Sequence, residues 1–191
     1  MGMVYKIISF TGPAGVGKST ILSMLQKIYG YPLLRRVTTR PERPQDIRGE
    51  FDFVNDEGFD RLIAAGALFE WVAVHGNRYG MRKEPIENTL ALTEPSLTTC
   101  TIEGAEKLYD FLKSKGQEGA YLPIYLLADP DVLHARLLRR HPDGAEVEQR
   151  FAESKDWDER AKRSRVPFRF LENKENMQSE TIGGVNALLN S

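Results

Sequence analysis

The chain has 191 residues, with 26 Lys and Arg against 27 Asp and Glu, and 41% of its residues are hydrophobic. At roughly 150 residues per domain, this length predicts one compact body. The apolar content is too high for a disordered chain. A formal net charge of −1 argues against a general nucleic-acid binder, because contacts to the phosphate backbone need a surplus of cations.

Cysteine content and hydropathy exclude further classes. The single cysteine, Cys100, can form neither an internal disulfide nor a cysteine-based metal cluster. No apolar run approaches the roughly 20 residues that span a bilayer, and the first residues lack the zones of a signal peptide. We therefore expect a cytoplasmic protein that contacts neither membrane nor nucleic acid. Monomer and homodimer both remain open.

Segments typical of strands and of helices alternate along most of the chain. The run 4–10 is almost continuously apolar, which predicts a strand buried on both faces of a parallel sheet. The other predicted strands of this kind are 97–102, 121–127 and 168–171. The predicted helices are 20–29, 105–115, 130–140 (with Asp129 as its N-cap), 145–163 and a short one at the C-terminus. This alternation predicts an α/β domain with a central parallel sheet flanked by helices.

Two polar segments interrupt the alternation. Residues 33–95 are rich in Arg, Pro and Gly, with short strand-like pieces at 51–54 and 69–74 around a helix at 57–65. Residues 140–163 begin at a His-Pro-Asp-Gly break. We expect both segments to be insertions into one domain, whose core comprises about 1–32, 96–139 and 164–191.

The most informative motif follows the first predicted strand. Residues 12–19 fit G-x-x-x-x-G-K-[ST] at every fixed position, and an amphipathic helix comes next. In such a loop the glycines let backbone N–H groups surround phosphate oxygens. Lys18 would reach the β- and γ-phosphates as a catalytic cation, and the Ser19 hydroxyl would ligate Mg²⁺. The motif therefore predicts ATP and Mg²⁺ as cofactors. The predicted nucleotide-binding residues are Gly12, Ala14, Gly15, Val16, Gly17, Lys18, Ser19 and Thr20.

A phosphate loop alone does not identify the reaction. The chain lacks the Asn-Lys-x-Asp motif of GTPases and is much shorter than motor proteins, which favours a small-molecule kinase. In the segment 38–49, Arg40 and Arg43 lie three residues apart, and a proline directly follows each of them. Their planar guanidinium groups are suited to a second phosphate, that of the acceptor.

These segments together resemble the guanylate kinase family. The matching stretches are Thr38 to Gly49 (T-T-R-x-x-R), 51–54, Glu70-Trp71 and 76–80 (G-N-x-Y-G). The resemblance implies a P-loop kinase fold whose segment 33–95 is a nucleoside-monophosphate-binding insert and whose segment 140–163 is a short lid that bears arginines. It also implies phosphoryl transfer from ATP·Mg²⁺ to a phosphorylated small molecule, with GMP or dGMP favoured.

The resemblance assigns roles to particular residues. Arg40, Arg43 and Tyr79 would hold the acceptor phosphate, and Glu70 would accept hydrogen bonds from N1–H and the amino group of guanine. Arg140 and Arg150 would be catalytic lid arginines. The remaining substrate-binding predictions are Arg36, which stands where the family commonly has a phosphate-contacting serine, and Glu103, which falls near an acidic position that contacts the base.

The chain also departs from the family pattern. Met81 replaces a guanine-binding Ser or Thr, Asp46 replaces a Glu, and Phe51 stands near the position of a phosphate-binding Tyr, one residue short after Gly49. Residues 97–102 contain no acid that could serve as a Walker B residue. Arg36 and the apolar Met81 also resemble the ribose 1,5-bisphosphate phosphokinases, which make phosphoribosyl diphosphate. A third alternative is a non-catalytic protein-binding module, although such modules characteristically lose the phosphate loop.

Overall fold

Four parallel strands form the central sheet of the protein, whose computed structural model describes residues 5–44, 46–74, 76–140 and 144–190. The strand order is β6-β1-β7-β8, and every neighbouring pair is parallel. All five residues of β1 are buried, as its almost continuously apolar run predicted. The predicted central parallel sheet is therefore confirmed. The strands are β1 (Ile7–Thr11), β6 (Ser96–Thr99), β7 (Tyr121–Leu127) and β8 (Arg169–Glu172).

Helices cover both faces of this sheet. The alternating side chains of β1 point to opposite faces, so that Ile8 enters one hydrophobic cluster and Ile7 the other. Helices α1 and α8 contribute to the first cluster, and α4 to the second. In the described part of the chain no helix is long and apolar enough to cross a membrane. Among the described residues, the α-helices outside the segment 33–95 are α1 (Lys18–Tyr29), α4 (Ile102–Ser114), α5 (Pro130–Arg140), α6 (Ala145–Glu153), α7 (Trp157–Arg163) and α8 (Gln178–Leu189).

A second, smaller sheet forms within the segment 33–95. Its strand order is β3-β2-β5-β4, with β2 parallel to β3 and antiparallel to β5. Val37, Phe59 and Leu68 form a separate small hydrophobic core beneath it. The elements of the segment are β2 (Arg36–Thr38), β3 (Phe51–Phe53), α2 (Asp56–Ala64), β4 (Leu68–Val74), β5 (Asn77–Arg82) and α3 (Lys83–Leu90).

Two predicted elements end differently in the structure. The predicted strand 97–102 stops at Thr99, because Thr101 caps α4 by accepting a hydrogen bond from the Gly104 N–H (3.0 Å). The predicted helix 145–163 is two helices, α6 and α7. The Ser154 hydroxyl donates to the Phe151 carbonyl (2.9 Å), which satisfies a backbone acceptor at the end of α6 without a continuing helix. Residues 141–143 lie outside the described part of the chain.

Candidate active site

The phosphate loop connects the end of β1 to the start of α1. Three of its glycines, Gly12, Gly15 and Gly17, have positive φ angles of 146°, 80° and 100°, which side chains rarely adopt. The loop therefore curls around the N-terminus of α1, where unpaired N–H groups attract anions. Lys18 Nζ donates to the carbonyls of Gly12 (2.7 Å) and Pro13 (2.8 Å), which places the ammonium group across the opening of the loop.

The loop is anchored to the far edge of the central sheet by Asn173, which follows β8. Its buried side chain donates from Nδ2 to the Val16 carbonyl (2.7 Å) and accepts at Oδ1 from the Thr181 hydroxyl (3.0 Å). Arg136 of α5 also donates to the Val16 carbonyl (3.4 Å). Sequence reasoning missed Asn173, because a single Asn distant from the motif carries no local signal.

We expect the substitution Asn173→Ala to lower the free energy of unfolding by about 1 to 3 kcal/mol, because the buried Val16 carbonyl loses its shortest hydrogen bond. Urea denaturation measures the change. Lys174→Ala, at an exposed neighbouring position, is the matched control and should change the stability by less than about 0.5 kcal/mol. Equal stability of the Asn173 variant and the wild type would show that the anchor contributes nothing.

A cavity of about 680 Å³ separates the phosphate loop from the inserted sheet. Its described lining includes ten of the residues predicted for nucleotide or acceptor: Ala14, Gly15, Gly17, Lys18, Ser19, Thr20, Arg36, Arg40, Arg43 and Tyr79. Two more cations, Arg136 and Arg139 of α5, line it as well. Such an excess of cations suits two phosphorylated substrates that meet in the middle.

Two predicted loop residues are not among the described residues that line this cavity. The Gly12 carbonyl instead accepts from Lys18, and the Val16 side chain is fully buried. Both residues therefore contribute to the conformation of the loop rather than to the lining of the cavity. The Gly12 carbonyl and the Val16 side chain do not support the prediction that these two residues contact the nucleotide.

Asp46 holds the guanidinium of Arg40 and the backbone of Arg43. Its carboxylate accepts two hydrogen bonds from the Arg40 guanidinium (2.8 Å each) and one from the Arg43 backbone N–H (2.7 Å). The hydrogen bonds that Arg40 donates to Asp46 raise the pKa of Arg40, although burial opposes this. Burial disfavours ionisation of Asp46, yet the hydrogen bonds from Arg40 and Arg43 lower its pKa overall. Arg40 is therefore a fixed cation, only 6% exposed, in the wall of the cavity.

A smaller cavity of about 180 Å³ adjoins the first, and Arg36, Tyr79 and Thr99 line both. The other described residues of its lining are Glu70, Val72, Gly80, Met81, Cys100 and Thr101. Glu70 is largely buried there, and Lys107 Nζ lies 3.6 Å from Oε2. Burial raises the pKa of Glu70, and the charge of Lys107 partly offsets the effect.

The structure places the remaining predicted residues elsewhere. Glu103 is about half exposed, forms an ion pair with Arg160 of α7, and is not among the described residues that line either cavity. A base contact from Glu103 therefore finds no support in this geometry. The side chains of Arg140 and Arg150 lie outside the described part of the structure. Arg136 and Arg139, one helical turn or less before Arg140, are the α5 arginines that line the cavity.

Three features define a P-loop kinase. They are the parallel sheet, the phosphate loop that follows β1, and the arginines Arg40 and Arg43 on the other side of the shared cavity. The guanylate kinase family model matches residues 5–115. The chain belongs to the guanylate kinase family and is a nucleoside monophosphate kinase, as its motifs predicted.

Relatives and a solved structure agree with this assignment. The guanylate kinase of Thermobifida fusca is 36% identical over 151 residues, which cover 78% of this chain and 74% of that protein. The guanylate kinase of Agrobacterium fabrum is 36% identical over 143 residues, which cover 74% of this chain and 63% of that protein. The fold is similar to that of the guanylate kinase from Anaplasma phagocytophilum, with a TM-score of 0.71, 20% identity, and coverage of 99% of this chain and 86% of the other.

Proposed function

We propose that this chain transfers the γ-phosphoryl group of ATP to GMP or dGMP, which gives ADP and GDP or dGDP. The observation that carries the proposal is the position of Glu70, a buried carboxylate in a small cavity that opens next to the acceptor arginines. A carboxylate offers two acceptors, and guanine presents two adjacent donors at N1–H and its amino group. Adenine presents an acceptor at N1 and would be repelled.

The described residues divide between the two substrates. Lys18 and the loop N–H groups would bind the ATP phosphates, while Arg40, Arg43 and Tyr79 would bind the acceptor phosphate. That phosphate is already ionised at neutral pH, so no general base is required. Positioned cations provide most of the catalysis in phosphoryl transfer, because the transition-state charge is spread over the phosphoryl oxygens.

The donor set of the cavity fits Mg²⁺. No group of three or more His, Cys, Asp or Glu among the described residues could hold a metal by itself. The Ser19 hydroxyl and the Glu50 carboxylate, both hard oxygen donors, line the cavity. Mg²⁺ prefers such oxygens together with water and substrate phosphates. Ser19 would hold the ion, which neutralises charge on the phosphates when bound.

Segment 140–163 is proposed as the lid, with Arg140 and Arg150 as arginines that approach the transferred group. Closure of a lid would exclude water and suppress hydrolysis of ATP. Arg136 and Arg139 of α5, the helix that leads into this segment, line the cavity. Their position supports an approach of the lid from that side.

A ribose 1,5-bisphosphate phosphokinase is the second candidate, because Arg36 lines both cavities and could hold a second phosphate. Glu70 argues against it, since a buried carboxylate in the small cavity repels a phosphate dianion. An assay of ADP release with ATP·Mg²⁺ and GMP, dGMP, AMP, UMP or ribose 1,5-bisphosphate distinguishes the two. We expect GMP or dGMP to give the highest kcat/KM. Turnover of the bisphosphate alone would overturn the proposal, and no turnover with any acceptor would favour a protein-binding module.

The raised pKa of Glu70 predicts a pH dependence of GMP binding. Only the ionised carboxylate accepts both hydrogen bonds, so affinity should fall as the pH decreases through the raised pKa of Glu70. Isothermal titration calorimetry between pH 7.5 and about pH 5 measures the change. The lower limit lies below the ordinary pKa of His and above that of Glu. The variant Glu70→Gln should bind GMP more weakly and should keep only the pH dependence of the GMP phosphate itself, whose second pKa is about 6. An identical pH profile in the variant would assign it to another group.

A further inference from the structure

Arg36 lies in a row of side chains that crosses the inserted sheet. It pairs with Phe51 on β3 and with Met81 on β5, and Met81 pairs in turn with Glu70 on β4. Directly paired residues present their side chains on the same face of a sheet. The guanidinium of Arg36 and the carboxylate of Glu70 therefore face one cavity from strands about 10 Å apart, which is two strand spacings. Met81 lies between them and is buried.

Contacts on one side hold the Arg36 guanidinium in place. Its Nη2 donates to Glu50 Oε1 (2.7 Å), and the same oxygen accepts from the Thr99 hydroxyl (3.4 Å). The Phe51 ring centroid lies 4.3 Å from its Cζ. Nε is buried and has no hydrogen-bond partner among the described residues. The group is thus oriented by the protein at the wall of the cavity, and its N–H groups other than those on Nη2 have no hydrogen-bond partner among the described residues.

We propose that Arg36 recognises the guanine base by donating hydrogen bonds to O6 and N7, while Glu70 accepts from N1–H and the amino group. This inference rests on the proposed function. Guanine presents two acceptors at O6 and N7 beside the two donors that Glu70 would bind. The base lies over Met81, which supplies an apolar floor and needs no hydroxyl. This pair would also reject adenine, whose N1 is an acceptor where guanine has a donor and whose C6 amino group is a donor where guanine has O6, although N7 is an acceptor in both bases.

The charges around the small cavity favour a base over a second phosphate. Glu50 neutralises Arg36, and Lys107 approaches Glu70. The formal charges of these four side chains sum to zero, so the cavity offers no excess of positive charge to a phosphate dianion. A neutral heterocycle with acceptors on one edge and donors on the adjacent edge complements Arg36 and Glu70, each of which has a neighbour of opposite charge.

Calorimetric titration with GMP and with 7-deaza-GMP tests the inference without ATP or turnover. The second ligand has a C–H group in place of N7. Because a hydrogen bond from a charged donor is lost, we expect 7-deaza-GMP to bind the wild type roughly 10- to 100-fold more weakly than GMP. Arg36→Met should bind GMP weakly and should not distinguish the two ligands. The adjacent Arg35, which is 59% exposed and paired with Asp52, provides the control Arg35→Met, which should retain the wild-type ratio.

Each other result has a defined meaning. Equal affinity of the wild type for both ligands, or the same ratio in Arg36→Met, would overturn the role of Arg36. If Arg36→Met does not fold because Glu50 is left unpaired, the variant Arg36→Met/Glu50→Gln removes that charge and takes its place, and the ratio in the wild type alone still decides. A wild type that phosphorylates ribose 1,5-bisphosphate but does not bind GMP would instead refute the proposed function.

Discussion

The substitution Lys18→Met is expected to lower kcat for ATP-dependent phosphorylation at least about 1000-fold and to leave the fold unchanged. Lys18 is the cation that the loop carbonyls of Gly12 and Pro13 hold across the phosphate site. Removal of one positioned donor from a transition-state site commonly costs two to three orders of magnitude. Here the lost group also carries a full charge. Methionine preserves the length and most of the apolar stem, so the effect isolates that charge.

ADP release with saturating GMP measures this loss, and urea denaturation monitors the fold. The control is Lys27→Met, an exposed position in the last turn of the same helix, which should retain wild-type turnover. GMP binding by Lys18→Met should stay within about threefold of the wild type, since Arg40 and Arg43 lie in the loop that follows β2 of the inserted sheet and not in the phosphate loop. Turnover within tenfold of the wild type would mean that the loop does not bind the reacting phosphates.

Local signals explain which parts of the fold could be predicted from the sequence. Strand β7 and helix α5 have the predicted bounds, because β7 is continuously apolar and Pro130 follows a capping residue. Asp129 Oδ1 accepts from the Asp131 N–H (2.8 Å), as predicted for an N-cap. The phosphate loop was equally visible, since its residues are contiguous and act through their own backbone.

The inserted sheet was predicted only in part. Strands β2 and β5 have no alternating apolar pattern: β2 has three residues, and β5 reads Asn-Arg-Tyr-Gly-Met-Arg. Their pairing is fixed by contacts between distant segments rather than by their own composition. The same holds for Asn173 and for Glu50, whose carboxylate accepts a hydrogen bond from Thr99, 49 residues away in the sequence. No local rule reveals such partners.

The departures from the family pattern form one connected cluster in the structure. Phe51 lies against the guanidinium groups of both Arg36 and Arg40, at 4.3 and 5.0 Å from its ring centroid. Arg40 in turn is held by Asp46. Taken one at a time along the chain, these residues are separate losses of hydroxyl or carboxylate contacts. In three dimensions they are a rearranged set of charges and rings that still holds Arg36 and Arg40 in the wall of the cavity, where the acceptor is predicted to bind.

The second large effect is expected for Arg40→Ala, which should lower kcat/KM for GMP at least about 100-fold and the free energy of unfolding by about 2 to 4 kcal/mol. The first loss follows because the acceptor phosphate loses a fixed cation. The second follows because Asp46 remains mostly buried without its bidentate partner. Steady-state kinetics and urea denaturation measure the two losses, and Arg48→Ala at an exposed position of the same segment is the control.

A pH series and a double variant separate stability from chemistry. The pKa of Asp46 is lowered in the folded protein, so the stabilisation by Arg40 is present above the unfolded pKa of about 3.9 and is lost as the pH falls through the lower folded pKa. The stability deficit of Arg40→Ala should therefore shrink only as the pH falls below about 4. Arg40→Ala/Asp46→Ala should recover most of the stability at pH 7, because no unpaired carboxylate remains, but none of the activity. Recovery of activity together with stability would mean that Arg40 only supports the fold; stability without activity would place its guanidinium on the acceptor phosphate.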